Sequence, residues 1–422
     1  MSQPNAKLET RNANLRARIA SLRRRPEVRA LARLAKQAEP GGVAVWLVGG
    51  AVRDAALGRP IPEVDAAVGG DAEALAKALE AAGFGTAVFL SRDRPGPRVF
   101  RVAGRRPIDI AEIEGGSIEA DLRRRDFTAN AIAVGLDDGR ILDPFGGLSD
   151  LARARLRPVD PRNLLDDPLR ALRAARFLAT HGLSPDAATL EAARRAAPGL
   201  ARVAPERIAV ELSRLLEAPE AAGGLAWAAR AEVLPAALGL PISRPEAARA
   251  ARALGRLDAA AFRRLPSSRR RRLRLARLAG ALGLAPEETR RWLAGLRLSR
   301  REAEETARLQ ELASSALRVR SRRDGFAWLL AAGDLAPDAL ALASLRGGAE
   351  EVRRVTRLKR LARVPLRRVR VTGGDVIRWL SLEPGPPVGA LLERLRLEAA
   401  LGTVRNRREA RNWLAGQVRP RP

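Results

Sequence analysis

The sequence predicts an α+β protein, in which a small α/β domain is followed by an all-helical remainder. The chain has 422 residues, enough for roughly two to four domains of ordinary size. Short apolar and alternating runs, which are typical of strands, are concentrated in residues 41–150. From about residue 150 onward, apolar residues recur at helical spacing and strand patterns nearly vanish. These observations together predict the fold class.

Four segments of the α/β domain predict strands. Val43–Val48 is an apolar run that ends in a Gly-Gly pair, and Thr86–Leu90 is a second apolar run. Val99–Val102 and Ile108–Ile110 alternate between apolar and polar residues. A helical pattern over Asp71–Ala82 lies among these segments, as expected for a small domain of mixed strands and helices.

The remainder of the chain has the pattern of packed helices. Asp167–Leu178 and Glu206–Leu216 carry apolar residues at helical spacing. We expect the helices to break at prolines, because proline cannot continue an interior turn. The prolines in question are Pro219, Pro235, Pro266, Pro337 and Pro365.

The charge of the chain predicts a polyanionic partner or substrate. Lys and Arg total 77 and Asp and Glu total 48, which gives a net charge of +29. Residues 1–40 carry +7 and residues 151–422 carry +26, whereas residues 41–150 carry 13 basic and 17 acidic side chains, a net −4. The basic surface should therefore lie outside the α/β domain. Dense runs at Arg23–Arg25 and Arg269–Arg272 could contact phosphates or form solvated faces.

Composition excludes several kinds of chemistry. The chain has no cysteine, so disulfides, thiol catalysis and thiolate metal sites are excluded. It has one histidine, His181, so no site built on several histidines can exist. His181 precedes a glycine, and we expect it to be a charge partner at a helix C-terminus. With no run of about 18 apolar residues and no leader pattern, we expect a soluble cytoplasmic protein without a membrane partner.

Leu47–Asp54 predicts a strand that passes through a Gly-Gly turn into a helix beginning near Ala51. The pair Gly49 and Gly50 would let the backbone approach a phosphate closely, and the helix amides would point at that phosphate. Arg53, in the first helical turn, would add positive charge. Because glycine pairs after strands are common, a turn without a ligand is the alternative.

Three carboxylates are candidates for binding Mg²⁺. Glu63 and Asp65 are two residues apart, so on a strand they would share one face, and carboxylate oxygens are Mg²⁺ ligands. Asp109 lies between two isoleucines in another short strand, where an acid needs a partner. The three could form a cradle for the two metal ions used in nucleotidyl transfer. A solvated strand edge is the alternative for Glu63 and Asp65.

Two further blocks mix charged and polar side chains. Arg124–Ala131 could contact a sugar hydroxyl or cap a helix. In Asp166–Phe177, Pro168 and the acids suit the start of a helix. Four of its side chains recur every third residue, so each is a surface neighbour of the next, although a solvated charged stripe is the alternative. They are Asp167, Arg170, Arg173 and Arg176.

An Asp–Arg pair on such a helix could distinguish nucleobases. Cytosine and adenine present an amino donor beside a ring-nitrogen acceptor, whereas uracil and guanine present a carbonyl acceptor beside an N–H donor. A carboxylate only accepts and a guanidinium only donates. The pair would therefore accept C and A and reject U and G without a nucleic-acid template.

Taken in this order, the motifs resemble the bacterial-type (class II) tRNA nucleotidyltransferase and poly(A) polymerase family. Five blocks in register over about 170 residues make the resemblance highly specific, and residues 218–365 match in helical character only. A weaker likeness follows between Gly374 and Ala410. The five blocks are Leu47–Asp65, Arg124–Ala131, Asp143–Arg157, Asp166–Phe177 and Glu206–Leu212.

The resemblance implies a polymerase-β-like nucleotidyltransferase head followed by a helical neck, body and tail. Mg²⁺ would be the cofactor, the tRNA 3′ end with CTP and ATP would be the partners, and no protein partner is implied. The implied division is a basic helical leader at 1–40, the head at 41–150, the neck at 151–218, the body at 219–350 and the tail at 351–422.

The resemblance also implies roles for single residues. Gly49, Gly50 and Arg53 would bind the incoming triphosphate. Glu63 and Asp65, with Asp109 as the third carboxylate, would bind Mg²⁺ and carry catalysis. The remaining nucleotide contacts would be made near the ribose by Arg125, Asp126 and Asn130, and on the base-reading neck helix by Asp167, Arg170, Arg173 and Arg176.

The chain departs from the family pattern at three positions. Glu63 stands where the family has Asp, and the extra methylene moves the carboxylate by roughly 1.5 Å. Misplacements near 1 Å can cost about 100-fold in rate. Asp166 replaces a usual Glu, and Ala154 replaces a usual Gly, which could stiffen a hinge-like block.

We expect a template-independent enzyme that adds C and A to tRNA 3′ ends and releases pyrophosphate. Two alternatives stay open. Within the same class, the chain could be a poly(A) polymerase or an enzyme that adds only part of the CCA end. Because of Glu63, it could also be an RNA-binding protein with an impaired head.

Overall fold

A computed structural model describes residues 3–38, 43–90, 96–258, 260–346, 348–363 and 369–417. The chain divides into two compact units, Met1–Asp258 and Ala259–Pro422. The first unit holds the strands and the second is helical throughout its described residues. The predicted α+β class, a β-sheet head followed by a largely helical remainder, is confirmed.

Strands of the first unit occur where the sequence predicts them and at several further places. The four predicted segments correspond to β1, β3, β4 and β5. The strands are β1 Val45–Leu47, β2 Val64–Val68, β3 Thr86–Phe89, β4 Val99–Ala103, β5 Ile108–Glu112, β6 Ala133–Gly135, β7 Ile141–Leu142, β8 Arg155–Leu156 and β9 Ser184–Pro185.

Among the described residues, seven strands form one mixed sheet in the order β3-β4-β5-β2-β1-β6-β7. β2 and β5 are parallel, with Asp65 opposite Asp109. β4 is antiparallel to β5, with Arg101 opposite Asp109. The sheet register therefore places a basic side chain and two acidic side chains next to one another across three strands.

The helices of the first unit surround this sheet and continue beyond it. α4 begins where the Asp71 carboxylate accepts hydrogen bonds from the amides of Glu73 and Ala74. The helices are α1 Gln3–Ala20, α2 Pro26–Gln37, α3 Gly49–Ala56, α4 Ala72–Ala81, α5 Ile118–Arg123, α6 Gly147–Ala152, α7 Arg162–Asp166, α8 Leu169–His181, α9 Ala187–Ala196, α10 Pro205–Glu217, α11 Ala221–Arg230, α12 Val233–Leu238 and α13 Arg244–Ala253.

The N-terminal helices pack on the sheet domain. α1 contacts α3 and α6, and α2 contacts α4. Arg23 Nη2 donates to the carbonyl oxygens of Leu136 and Asp137 at 3.0 and 3.1 Å. Arg25 pairs with Glu27 at 2.6 Å. The first basic run therefore contributes two side chains to intramolecular contacts, which neither sequence interpretation anticipated.

The second unit is a helical assembly. Pro337 lies in the first turn of its helix, where its missing N–H costs nothing, and Pro365 lies outside the described residues. The helices are α14 Ala260–Arg263, α15 Ser267–Ala281, α16 Pro286–Gly295, α17 Arg300–Ala316, α18 Arg322–Ala332, α19 Ala336–Ala343, α20 Ala349–Leu361, α21 Gly373–Leu380, α22 Pro386–Leu401 and α23 Arg407–Ala415.

The second basic run also pairs within the protein. Arg269 and Arg272 contact the buried carboxylate of Asp338 on α19. Arg272 also pairs with Glu305, and Arg271 pairs with Glu302 at 2.5 Å. α15 is thereby joined to α17 and α19 by ion pairs.

One segment of the second unit, Arg322–Ala343, is long and apolar enough to cross a membrane by length and composition. A turn at Gly333–Leu335 divides it into α18 and α19, and more than half of its most apolar stretch is buried in the protein. It also contains Asp338, whose carboxylate is buried in ion pairs. We therefore describe it as part of the unit's core.

Candidate active site

The candidate site begins at the C-terminal end of β1, where the chain turns into α3. The Gly50 amide donates to Asp65 Oδ2 at 3.0 Å, so the turn closes on a carboxylate of the neighbouring strand. Asp65 and Asp109 are register partners on parallel strands, which lie about 4.8 Å apart. Their side chains therefore share one face of the sheet.

Glycine suits both positions of the turn, and the backbone of Gly49 favours it most. Gly49 has φ +65°, a left-handed backbone that disfavours other residues. A Cβ atom on Gly49 would lie 3.0 Å from Arg125 Nη1 and 3.4 Å from Asp65 Oδ2. A Cβ atom on Gly50 would lie 3.2 Å from the same Asp65 oxygen. A side chain at either position would therefore press on Asp65 or Arg125 and require them to shift.

Arg101 on β4 contacts two of the three predicted metal ligands. Its Nε and Nη2 donate to the two carboxylate oxygens of Asp109, each at 2.6 Å. Its Nη2 also donates to Glu63 Oε2 at 2.9 Å. Glu63 lies in a bend one residue before β2 rather than on the strand, so the predicted shared face with Asp65 is not formed by strand geometry.

Negative charge is concentrated at Asp65. Burial, together with the neighbouring carboxylates of Glu63 and Asp109, raises the pKa of Asp65 to about 6. Arg125 and the backbone amides of the turn oppose this shift only in part. Asp65 therefore lies in a negative potential that a bound cation would relieve.

The predicted three-carboxylate cradle does not form as one ligand set. Within the described ranges, no group of three acidic or histidine side chains is arranged to hold a metal ion. The physical reason is Arg101, whose guanidinium occupies oxygens of Asp109 and Glu63. The Asp65–Asp109 pair still fits Mg²⁺, because Mg²⁺ in phosphoryl-transfer sites is held by one or two carboxylates together with substrate phosphates.

A chain of polar contacts joins α3 to α8. Arg53 Nη1 donates to Asn130 Oδ1 at 2.7 Å, and Asn130 Nδ2 donates to Asp126 Oδ1 at 2.9 Å. Asp126 Oδ2 forms an ion pair with Arg173 Nη2 on α8 at 2.9 Å. Four predicted nucleotide-binding residues are thus brought together.

Asp126 is the centre of that chain. Burial alone would raise its pKa, but the Arg173 guanidinium and hydrogen bonds from Asn130 and the Phe127 amide outweigh burial and lower the pKa. Asp126 is therefore ionised near neutral pH. Its charge fixes the orientation of Arg173 relative to the sheet.

His181 differs from its expected role as a charged partner of the helix end. Its Nε2 lies 3.2 Å from Asp54 Oδ1, and its Nδ1 lies 2.6 Å from Thr180 Oγ1. Burial lowers the pKa of His181 below 6.5, although the Asp54 hydrogen bond opposes the shift. His181 is therefore neutral at pH 7 and, because a carboxylate only accepts, Nε2 carries the proton.

The row of arginines on α8 is not a solvated stripe. Arg176 Nε donates to Glu211 Oε2 at 2.5 Å, and both side chains are buried. The guanidinium groups of Arg53, Arg173 and Arg176 lie 5.0, 5.9 and 4.3 Å from the centre of the Phe177 ring. Phe177 therefore organises three predicted nucleotide contacts around one buried ring.

The two residues predicted to read the base, Asp167 and Arg170, each contact another part of the protein in this structure. Asp167 Oδ2 accepts from Arg207 Nη2 on α10 at 2.8 Å, whereas Arg170 Nη1 donates to the Asn163 carbonyl at 3.1 Å. Asp167 and Arg207 line a cavity of about 290 Å³ with Gly199 and Arg202. Asp167 thus lines a cavity and pairs with Arg207, a residue outside the predicted site.

Arg125 is oriented by a residue that the sequence analysis did not select. Its Nε and Nη2 donate to Asp121 Oδ2 at 3.1 and 2.8 Å, and Asp121 is almost fully buried. This leaves Nη1 beside Gly49. Arg101 and Arg207 were also not selected as site residues. The sequence signal for Arg101 is that it is the one charged residue in the alternating segment Val99–Val102. Its partners cannot be predicted from that segment, because they depend on sheet register.

Matches to known protein families agree with this geometry. The chain matches the Poly A polymerase head domain over residues 45–157 and the "probable RNA and SrmB-binding site of polymerase A" over residues 182–235. A mixed sheet with paired carboxylates against a Gly-Gly turn, matched by such a head domain, defines the chain as a nucleotidyltransferase.

Similar proteins are matched over most of the chain. A CC-adding tRNA nucleotidyltransferase of Geobacter sulfurreducens is 34% identical, over 90% of this chain and 94% of the relative. A CCA-adding enzyme of Geobacillus stearothermophilus is 32% identical, over 92% and 96%. The crystal structure of the Bacillus stearothermophilus CCA-adding enzyme in complex with CTP is 29% identical, with a TM-score of 0.69 over 93% and 98%. The chain belongs to the bacterial-type tRNA nucleotidyltransferase family.

Proposed function

We propose that the chain adds C and A residues to the 3′ end of tRNA, using CTP and ATP and no template. The observation that carries this proposal is the in-register Asp65–Asp109 pair, held against the Gly49–Gly50 turn at the start of α3. Nucleotidyl transfer requires at least carboxylates that bind a metal ion and a backbone turn that binds the triphosphate.

In the proposed reaction, the terminal ribose hydroxyl of the RNA attacks the α-phosphate of the nucleotide, and pyrophosphate leaves. Asp65 and Asp109, with Glu63 nearby, would hold Mg²⁺. When bound, Mg²⁺ supplies charge that stabilises the attacking and leaving oxygens. The N-terminus of α3 would orient the triphosphate, because its amides carry partial positive charge.

We further propose that α8 and its surroundings select the nucleobase. Asp167 would accept from the amino group of C or A, and Arg170 would donate to the ring nitrogen. Arg125, Asp126 and Asn130 would lie near the ribose, Arg53 would bind the triphosphate with Gly49 and Gly50, and Arg173 and Arg176 would lie near the nucleotide. The contacts joining Arg53, Asn130, Asp126 and Arg173 support one continuous nucleotide-binding surface.

The RNA partner is supported by charge and by relatives. The α/β segment is net acidic, whereas residues 151–422 carry +26, as expected when one region binds cations and another binds a polyanion. We propose that a leader, head, neck, body and tail divide the chain, with the head extending through residue 157 because Asp150 pairs with Arg155 and Arg157, and that the protein acts in the cytoplasm.

Addition of C alone is the second candidate. A relative 34% identical over 90% of this chain is named a CC-adding enzyme, and another 32% identical over 92% is named a CCA-adding enzyme. Poly(A) synthesis is favoured by the head-domain match alone.

One assay separates these activities. Purified protein is incubated with Mg²⁺, labelled CTP or ATP, and tRNA that ends before C, after C or after CC. Addition of two C and one A supports the proposal, and addition that stops after CC supports the second candidate. A long A tract identifies a poly(A) polymerase, and binding without incorporation identifies an impaired head.

The metal assignment has its own test. Asp65→Ala should abolish incorporation, because it removes a proposed metal ligand. It should leave tRNA affinity nearly unchanged, because Asp65 lies in the acidic part of the chain and not in a basic one. Asp71→Ala, which changes a carboxylate at the N-cap of α4, is the matched control. EDTA should stop the reaction and added Mg²⁺ should restore it. A normal rate for Asp65→Ala would remove the assignment.

A further inference from the structure

The structure contains a cation on the carboxylates that the proposed function assigns to Mg²⁺. Arg101 lies directly opposite Asp109 in the β4–β5 pair, so sheet register, not a flexible loop, brings its side chain there. Its guanidinium uses two donors on Asp109 and reaches Glu63 with Nη2. The side chain of a neighbouring strand thus covers the oxygens that a metal ion would need.

We propose that Arg101 is a built-in competitor of the divalent cation for Asp109 and Glu63, so that metal binding requires the guanidinium to release them. This inference rests on the proposed function, because it takes the Asp65–Asp109 pair as the metal site. A bidentate guanidinium and a metal ion both use the carboxylate oxygens of Asp109, and the two cations also repel each other.

The exposure of the pair makes this exchange feasible. The side chains of Arg101, Glu63 and Asp109 are 36%, 43% and 20% exposed, so water can solvate each group when the contacts open. Partial exposure lowers the cost of opening an ion pair, although the bidentate contact with Asp109 is stronger than a single exposed pair. Asp65, by contrast, is held by the Gly50 amide and carries no direct ion pair with Arg101 among the described contacts.

Glu63 has a specific part in the competition. Its carboxylate reaches Arg101 from a bend outside the strand, at 2.9 Å. A shorter side chain at this position would retract by about one bond length. The longer Glu63 therefore adds a second contact that keeps the guanidinium over the site.

The test measures Mn²⁺ binding to the full chain without nucleotide or RNA, with free Mn²⁺ followed by its electron paramagnetic resonance signal. Arg101→Gln should bind Mn²⁺ three- to tenfold more tightly than the unchanged chain, because the competing charge is gone. Arg98→Gln is the matched control, since Arg98 pairs with Glu73 and Glu112 at the start of the same strand. It should bind Mn²⁺ as the unchanged chain does.

Arg101→Lys is a second variant that gives a result if Arg101→Gln does not fold. Lysine keeps the charge but lacks the planar fork that binds two carboxylates, so its affinity should lie between those of the unchanged chain and Arg101→Gln. Circular dichroism identifies any variant that fails to fold, and if Arg101→Gln fails, Arg101→Lys decides with an expected twofold gain. Equal or weaker Mn²⁺ binding in the deciding variant overturns the inference and leaves Arg101 as a residue that only positions Asp109.

Asp65→Asn separates this inference from the proposed function. If Asp65→Asn weakens Mn²⁺ binding but Arg101→Gln does not strengthen it, the metal site stands and the competition fails. If Asp65→Asn leaves Mn²⁺ binding unchanged, the proposed metal site itself fails, whatever Arg101→Gln does.

Discussion

Ala154 has a backbone conformation that suits glycine. Its φ is +53°, in the left-handed region, and it lies between α6 and β8. The resemblance described under Sequence analysis implies glycine at this position. A left-handed backbone costs a non-glycine residue roughly 1–2 kcal/mol. The chain therefore carries local strain at the junction where the sheet domain meets the following helices.

Ala154→Gly should relieve that strain. We expect the free energy of unfolding to rise by about 1 kcal/mol, and the melting temperature by about 2–4 °C. Scanning calorimetry of the full chain provides the measurement. Ala82→Gly is the control, since Ala82 is exposed at the end of α4 with φ −81° and should gain nothing. A melting temperature that does not rise in Ala154→Gly would show that the strain is absent.

His181 should make stability depend on pH. Its pKa is lowered by burial in the folded protein, so as pH falls through 6.5 the unfolded chain binds the proton first. Stability is therefore full above 6.5 and declines as pH falls below that value. The groups facing His181 are Asp54, Arg53 and Arg59.

His181→Gln should flatten this dependence, because glutamine does not titrate. The measurement is the free energy of unfolding by urea between pH 7.5 and pH 5.5. The carboxylates with lowered pKa, Asp54, Asp121 and Asp126, do not titrate in this window. Asp65, whose pKa is raised to about 6, titrates there in both proteins, so the difference between the two slopes reports on His181. An equal slope in both proteins would contradict the assignment of His181 as a buried neutral histidine.

Helix α8 is held at each end by a different element. At its N-terminal side, Arg207 of α10 pairs with Asp167, two residues before the helix begins. At its C-terminal end, His181 contacts Asp54 of α3. Between them Phe177 is buried among three guanidinium groups and packs edge-on against Phe127. The helix proposed to read the base is thus fixed by its neighbours before any nucleotide binds.

Arg207→Gln should weaken nucleobase selection. Without the ion pair, Asp167 is no longer fixed in one orientation, and a hydrogen bond to a charged group contributes about 1.5–3 kcal/mol. We expect kcat/KM for CTP to fall at least tenfold while that for UTP changes little.

The control for this variant is Arg202→Gln, because Arg202 lines the same cavity but is exposed. Single-nucleotide incorporation with CTP and UTP provides both values. Unchanged discrimination in Arg207→Gln would mean that Asp167 is positioned by other groups.

At the scale of the whole molecule, some arginines form ion pairs inside the protein and others are available to bind RNA. Some arginines are neutralised internally, because those of α15 pair with Asp338, Glu302 and Glu305 inside the second unit. The density of a basic run in the sequence is therefore a poor guide to where RNA binds. The RNA-binding surface must be sought among exposed arginines without such partners.

Arg272→Gln should destabilise the second unit rather than weaken RNA binding. The change removes one cation from the buried carboxylate of Asp338, and breaking a buried pair costs about 3–5 kcal/mol, here reduced because Arg269 remains. Arg301→Gln is the control, since Arg301 is almost fully exposed and should change stability by less than about 0.5 kcal/mol.

Thermal unfolding and tRNA affinity at several salt concentrations give the two readouts for Arg272→Gln. A lowered melting temperature with an unchanged salt dependence is the expected pattern. A weaker affinity with normal stability would instead place Arg272 at the RNA surface.

The sequence could predict elements and residue types but not pairings. The Gly49–Gly50 turn, the strand of Asp109 and the helix of Arg173 follow from local patterns. The Arg101–Asp109 and Asp167–Arg207 pairs do not, because each depends on which elements become neighbours. Arg272 illustrates the same limit, since a basic run has the same local pattern whether it faces solvent or buried acids.

Asp150 bears on how the chain can be divided for experiments. It is fully buried, and its carboxylate accepts from Thr128 on one side and from Arg155 and Arg157 on the other. A fragment that stopped at residue 150 would keep the acid and lose both arginines, leaving an uncompensated charge in its interior. Any shortened version of the N-terminal region intended for spectroscopy or crystallisation must therefore extend at least through residue 157.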